Sequence, residues 1–326
     1  MRKVTIKTAS DIALIKYWGK KDEVLRLPEN GSISIKLDGL DTVTTVEFQQ
    51  GLEKDDITIQ GESDNEEIIR VVKHLDRIRK QFSKNIYAKV VSKNTFPKGT
   101  GLSSSGSGFA ALTFAAVKSL EIDLSEKELS ILCRQGSGTA CRCACGGFVE
   151  WLDGETSETS YSHSIQSPDF WDVRDVVVVV DEGKKKVSST EGHVMAQSSP
   201  FYAERQKRIG AKIAEIKGYI ENKDFSKMGN LAEKEALEFH TILLTSEVPM
   251  IAWYPGTVEV MQEVVRLREE GIECYFTINT GFNVHVLTLP EYEKQVQERM
   301  MSLASVKKVL SAKVGDKPVE ISDHLF

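Results

Sequence analysis

"FPKGTGLSSSGSGFAAL", residues 96–112, decides how the first half of the chain is read. It opens on a proline, runs through glycines and serines, and ends in apolar residues. Ordering glycine costs backbone entropy, so a packed domain must recover that cost through other contacts. A linker and an anion-binding loop both have this composition, and context separates them. The stretch follows a β-branched run at 86–92 and leads into a helix reaching about residue 120, with Phe109, Leu112, Ala116 and Leu120 on one side. A flexible linker does not belong inside one compact half. A loop entering a helix N-terminus offers unpaired N–H groups and the positive end of a dipole, which suits phosphate. It is not a Walker A loop, since no Gly-Lys-Ser/Thr closes it. Gly99 and Gly101 fit the first glycines of a dinucleotide fingerprint, but Ser104 holds the third place.

Working outward, alternating or β-branched runs at 3–8, 33–37 and 43–48 predict strands. Residues 65–83 carry Ile68, Val71, Val72, Leu75 and Ile78 at helical spacing, and a further helix is predicted over 126–135. "DVVVVVD", from Asp175 to Asp181, is too apolar for an exposed strand and reads as buried on both faces. Helices are predicted within 198–224 and 228–245 and near 257–269. Strands near 272–278 and 284–288, a helix near 291–303 and a last strand near 317–321 follow. This order predicts an α+β second half, with domains over 1–185 and 186–326.

A chain of 326 residues is long for a single core, which agrees with two domains. The formal net charge of −6 argues against a nucleic-acid binder but allows a local cation cluster for a small anion. Charges interrupt the apolar residues of "MRKVTIKTASDIALIKYWGK", so the N-terminus reads as neither a signal peptide nor a membrane span. A cytoplasmic protein is expected. The five cysteines, Cys133, Cys141, Cys143, Cys145 and Cys274, are an odd number in such a chain, and reduced thiols follow. "ACRCACGG" places one residue between cysteines, where zinc pairs usually have two or more. These thiols read as buried packing groups, on alternate faces of a strand or at small positions. Lys184, Lys185 and Lys186 read as a solvated turn.

Four more segments accompany the opening stretch: "DIALIKYWGKKDEVLRLPENGSISI" (11–35), "RQGSGTACRCACGGFVEW" (134–151), "VSSTEGH" (187–193) and "FTINTGFN" (276–283). In this order, and over nearly the whole length, the chain resembles the mevalonate diphosphate decarboxylase and phosphomevalonate decarboxylase family of the GHMP kinase superfamily. The resemblance implies a ribosomal-protein S5 domain-2-like N-terminal domain, a ferredoxin-like C-terminal domain and a homodimer. It implies ATP- and Mg2+-dependent phosphorylation of the C3 hydroxyl of a 5-phosphorylated mevalonate, followed by loss of phosphate and carbon dioxide.

Such chemistry needs cations that hold the anionic ends of the substrate without quenching a carbocation-like centre. Arg142 suits the C1 carboxylate through its planar fork. Tyr17 and Lys20 suit the 5-phosphate, and Lys16 either that phosphate or the orientation of the reacting groups. Ser137, Thr139, Ser189 and Thr190 add neutral donors. By resemblance, the loop with Pro97, Gly99, Gly101, Leu102, Ser103, Ser104 and Ser105 cradles the ATP phosphates, Ser105 approaches magnesium, and Ser92, Lys93 and Asn94 lie near the adenosine.

Two positions depart from the family pattern. Asn279 stands where the family carries the aspartate proposed as general base, and an amide cannot serve as one. Asp11 stands where the family has asparagine. The sequence therefore reads as an exchange, with Asp11 orienting Lys16 or accepting the proton and Asn279 hydrogen-bonding substrate. Glu67, at a position where diphosphate users tend to be basic, leans the reading towards a monophosphate. The alternatives are a mevalonate 3-kinase-like enzyme that stops after phosphorylation, and a catalytically dead nucleotide-binding homologue.

Overall fold

A computed structural model of the chain describes residues 1–60, 65–96, 101–183 and 189–326, without the side chain of Thr190. Pro97, Gly99 and Lys184–Lys186 therefore lie outside the described residues. The first half contains β1 (Val4–Ile15), the hairpin of β2 (Lys20–Asp22) and β3 (Leu27–Pro28), β4 (Ser32–Gln49) and β5 (Asp56–Ile59). It continues with α1 (Asn65–Gln81), β6 (Tyr87–Asn94), α2 (Ser104–Ser119), α3 (Glu126–Gly136), α4 (Ala140–Cys143), β7 (Phe148–Trp151) and β8 (Ser162–Gln166). The second half begins with β9 (Arg174–Val179), α5 (Ser189–Met195), α6 (Tyr202–Glu221), α7 (Phe225–Thr245) and α8 (Pro255–Glu269). It ends with β10 (Cys274–Thr277), β11 (Val284–Thr288), α9 (Pro290–Met301), β12 (Lys308–Val314) and β13 (Val319–Ile321).

The expected strands at 33–37 and 43–48 are one long strand, β4, which pairs antiparallel with β1 along most of its length. The register slips between Ala9 and Ser10, opposite the turn-like stretch at Asp38–Leu40, where Gly39 has φ of 109°. A local bulge of this kind bends the ribbon without ending it. Helices α1, α2 and α3 cover one face of this sheet over a core that includes Val4, Val46, Leu75, Ala111, Ala115 and Leu132. α2 is apolar nearly all round, as a helix enclosed by neighbours must be.

In the second half, the sheet order β10-β11-β9-β12, antiparallel throughout, with α8 and α9 packed against it, is the split βαβ arrangement. Its first strand is β9, all but the first residue of which is buried. The expected division at residue 185 left this strand with the N-terminal part. Backbone pairing with β11 and β12 assigns it to the C-terminal part instead. β12, which the periodicity did not reveal, joins the halves: Lys313 and Val314 pair with Asp38 and Leu37 of β4. The result is one eleven-stranded sheet running through both halves.

Cys141 and Cys143 lie not on a strand but on the short helix α4, which packs against α2 and α3. All five cysteines are buried free thiols, and burial pushes Cys141 and Cys145 up to about 12. Among the described residues, no cluster of three or more His, Cys, Asp or Glu side chains could hold a metal ion. None of the described helices is long and apolar enough to cross a membrane.

Candidate active site

A cavity of about 420 Å³ is lined from both halves of the molecule. Gly101, Ser103, Ser104 and Ser105 form one wall at the start of α2. Lys16 and Arg142, with Asn279 and Thr280 from the loop after β10, form another. Tyr17, Trp18, Lys20, Arg26 and His193 line a third side, and an arm reaches Ile59, Val90, Phe109, Ser92 and Asn94.

The loop wall follows from local constraints. Gly101 has φ of +95°, and a Cβ there would lie 2.6 Å from the Gly281 Cα, so two glycines let the loops of the two halves touch. Ser103, at the helix start, is also left-handed, with φ of 58°. Its hydroxyl caps no helix N–H and instead donates to Asp11 Oδ1 at 2.9 Å. The opening turn of α2 thus faces the cavity without a side-chain cap, a setting that favours an anion. The Ser137 hydroxyl comes within 3.5 Å of that of Ser105, and Ser10 fixes the loop by donating to the Leu102 carbonyl at 2.7 Å.

On the facing wall, the Arg142 Nε donates to Asp11 Oδ2 at 2.6 Å and its Nη1 to the Ser32 hydroxyl at 3.0 Å. Both partners of this pair are buried, at 3% and 1% side-chain exposure. Burial works to raise the Asp11 pKa, but Arg142, the Ser103 hydroxyl and the charge of Lys36 outweigh it, holding the carboxyl below its ordinary value. Burial likewise opposes charge on Arg142, and Asp11 more than compensates, so the guanidinium stays charged. Lys36, itself fully buried, donates to Thr8 Oγ1, the Ala9 carbonyl and the Cys143 carbonyl, tying α4 to the sheet.

Lys16, 2% exposed, directly follows β1. Its Nζ donates to the Ala13 carbonyl at 2.5 Å, Thr277 Oγ1 at 2.8 Å and Asn279 Oδ1 at 3.2 Å. Three neutral oxygens surround the amine. Burial lowers its pKa to about 7, against the opposing pull of Glu235. The backbone of Lys16 is gripped from the C-terminal helices: its N–H donates to Glu235 Oε1 at 3.2 Å, and its carbonyl accepts from Arg205 Nη2 at 2.8 Å. Glu235 also accepts from Arg205 and Lys212, whose charges overcome the effect of burial and keep it ionised. His240, on the same helix, donates from Nε2 to the Asn279 carbonyl at 2.8 Å, and the Asn279 Nδ2 reaches the Gly101 carbonyl at 3.4 Å. Burial lowers His240 to about 3, so it is neutral.

On the third side, the His193 ring lies between Tyr17 and Trp18, at centroid distances of 4.3 and 4.2 Å, and its Nδ1 accepts from the Gly19 N–H at 3.0 Å. The Tyr17 hydroxyl and the Trp18 indole N–H are buried and find no hydrogen-bond partner among the described residues. Burial raises the Tyr17 pKa well above its ordinary value, so the phenol remains a donor. Buried donors left open beside a cavity are what an anionic ligand would satisfy.

Residues 8–162 match the family model described as the diphosphomevalonate decarboxylase-like N-terminal domain, and residues 175–323 match the mevalonate 5-diphosphate decarboxylase C-terminal domain. The chain belongs to the diphosphomevalonate decarboxylase family. It is 34% identical to the diphosphomevalonate decarboxylase of Saccharomyces cerevisiae over 99% of this chain and 88% of the relative. It is 30% identical to the phosphomevalonate decarboxylase of Haloferax volcanii over 91% of each. Among solved structures, mevalonate diphosphate decarboxylase from Staphylococcus aureus superposes with a TM-score of 0.93 at 34% identity, covering 98% of both chains. A complex of MDDEF with MVAPP, AMPPCP and magnesium gives 0.92 at 33% identity, again over 98% of each. The fold is therefore the α+β GHMP-type fold of this family.

Within that family frame, most of the expected residues meet in one cavity: Lys16, Tyr17, Lys20, Ser92, Asn94, Gly101, Ser103, Ser104, Ser105, Ser137, Thr139, Arg142, Ser189 and Asn279 all line it. Others do not. Lys93 is exposed and points away, because side chains alternate along β6 and its neighbours Ser92 and Asn94 take the inner face. The Leu102 side chain is buried in the core, leaving only its backbone at the loop. Asp11 makes no bond to Lys16: its oxygens accept from Arg142 and Ser103, and it does not line the cavity. Arg142 consequently lacks its full fork, since Asp11 holds its Nε. The Lys20 Nζ meets Glu23 at 2.7 Å, and Ser189 bonds Thr280 at 2.9 Å.

Sequence reasoning missed Glu235, Arg205 and His240, which hold Lys16 and Asn279 from outside the motifs, and Thr277, which lies within the 276–283 segment. One signal was available. Glu235 and His240 interrupt the apolar stripe of α7 formed by Met228, Ala232, Ala236, Phe239 and Leu243, and a charge on a buried face implies a partner.

Proposed function

We propose that this chain carries out the ATP- and magnesium-dependent decarboxylation of mevalonate 5-phosphate, through phosphorylation at C3, to give isopentenyl phosphate. The observation that carries this reading is the shared cavity, in which the serine-rich start of α2 faces Lys16, Arg142 and Asn279. The nucleotide lies along the arm of Ile59, Val90 and Phe109, with its phosphates at the N-terminus of α2. The Ser105 hydroxyl would hold a magnesium ion, which would supply neutralisation of the phosphate charge. The hard oxygens of Ser105 and Ser137 fit such an ion, which usually takes few protein ligands.

Arg142 meets the C1 carboxylate with the guanidinium edge that Asp11 leaves, and Asp11 keeps the guanidinium rigid. Once the C3 oxygen carries the phosphoryl group, the C3–O bond breaks with phosphate leaving. The C1–C2 bonding pair then becomes the C2=C3 double bond as carbon dioxide departs. Tyr17, Trp18, Lys20 and Arg26 receive the 5-phosphate. The Glu67 carboxylate on the cavity wall and the pairing of Lys20 with Glu23 favour one phosphate over two. The enzyme works in the cytoplasm as a homodimer, with no nucleic-acid or membrane partner.

The test is to measure ADP and carbon dioxide release with mevalonate 5-phosphate and 5-diphosphate. Equal yields of both products, with kcat/KM about tenfold or more higher for the monophosphate, are expected. Asn279 favours one second reading, the 3-kinase, and ADP without gas would select it. No ADP from either compound would leave a nucleotide-binding homologue without activity.

A further inference from the structure

Phosphorylation of the C3 hydroxyl releases a proton, and neither the residue at the family's base position nor Asp11 is placed to take it. Asn279 presents an amide at 3.2 Å from the Lys16 amine, and Asp11 is tied to Arg142 and Ser103. Resting on the functional reading above, we propose that the proton acceptor of this chain is Lys16 itself, whose buried amine lies on the cavity wall among three neutral oxygens.

Geometry supports this in two ways. Among the described residues the amine contacts the Ala13 carbonyl, the Thr277 hydroxyl and the Asn279 amide oxygen, and no carboxylate of those residues touches it to hold it as ammonium. The Thr277 hydroxyl can serve both forms, accepting from the ammonium or turning to donate to the neutral amine's lone pair. A carboxylate at 279 would instead bind the proton on Lys16, so the amide is the substitution that frees the lysine.

The charged groups around Lys16 come from several elements. Asp11 on β1, Asp175 on β9 and Glu235 on α7 raise its pKa, while Arg142 on α4 lowers it. Arg205 on α6 meets its carbonyl, and His240 on α7 stands neutral behind Asn279. Burial is the largest influence, and the balance lies at about 7, where a general base is most effective. In the step itself, the C3 O–H bond breaks and its proton passes to the Nζ lone pair. The freed oxygen pair forms the new bond to the γ-phosphorus as the bond from that phosphorus to the β-phosphate oxygen breaks, releasing ADP. The resulting ammonium lies beside the newly attached phosphate and can return the proton to it as it leaves.

The experiment measures ADP formation against pH between about 5.5 and 9 for the wild type, Lys16→Arg and Asn279→Asp, with affinity for a non-hydrolysable ATP analogue as the folding control. The wild-type kcat/KM should show an acid limb near pH 7, and Asn279→Asp should displace it. Lys16→Arg, which keeps the charge but cannot lose the proton, should lower kcat by about 10²-fold or more with analogue binding retained. In Lys16→Ala, added primary amines should restore rate in order of their basicity. A Lys16→Arg enzyme within about tenfold of wild type, or a wild-type limb unmoved in Asn279→Asp, overturns the assignment while leaving the function standing. Wild-type protein that releases no ADP from any phosphorylated mevalonate overturns both.

Discussion

Asp11 and Arg142 show at the smallest scale how a pair of charges survives without water. Their bond is buried at both ends, and Ser103, Ser32 and Lys36 complete the local balance. Removing one member leaves the other charge uncompensated in the interior, a loss of about 3–5 kcal/mol, where a surface pair would cost about 0–1 kcal/mol. Asp11→Ala should lower the unfolding free energy in urea by that larger amount, and a loss below about 1 kcal/mol would show that Arg142 finds another partner. Side chains of this kind were only half legible in the sequence. The family resemblance pointed to Lys16, Arg142 and Asn279, but nothing near Asp11 announces that its partner is 131 residues away. The strand period alone would have turned Lys93 outward between Ser92 and Asn94.

Elements were more legible than contacts, because periodicity is local and packing is not. The apolar spacing predicted α1, α2 and α7 within a few residues, and the valine run predicted β9. β12, "KVLSAKV", was missed because its burial comes from neighbours that the sequence does not name: only Ala312 and Val314 are buried in it. The loop that begins α2 carries the sharpest element-level expectation. At Gly101 a methyl group would meet the Gly281 backbone at 2.6 Å in a left-handed conformation that alanine resists. Such strain is worth about 1–3 kcal/mol, so Gly101→Ala should raise the KM for ATP by about tenfold or more. Steady-state kinetics with ATP varied checks this, and an unchanged KM would mean that the two loops part freely. α7 performs a comparable task for the facing wall, since Glu235, Phe239 and His240 grip Lys16, Trp18 and Asn279 in turn.

Over the whole molecule, stability responds to acid through histidines that are buried uncharged. His74, bonded to Thr113, and His240 are both lowered by burial to about 3. Their unfolded values lie near 6.5, so between these limits the unfolded chain binds more protons and stability falls as pH falls. Denaturant midpoints should therefore decline from about pH 6.5 downward, before the carboxylates Asp11 and Glu235 add their own losses at lower pH. The double variant His74→Gln, His240→Gln should show a shallower slope over that range, and an unchanged slope would place the acid sensitivity elsewhere. The global arrangement was the least legible part, because the seam between halves depends on a few non-local pairings: Lys313 and Val314 with Asp38 and Leu37.

That seam limits how the molecule can be rebuilt. With β12 laced to β4, and α6 and α7 clasping the end of β1, neither half is an interchangeable module. A chimera taking its second half from another protein would have to inherit a matching strand edge and a matching glutamate–arginine clasp together. Recombination within either half is freer than recombination across the join.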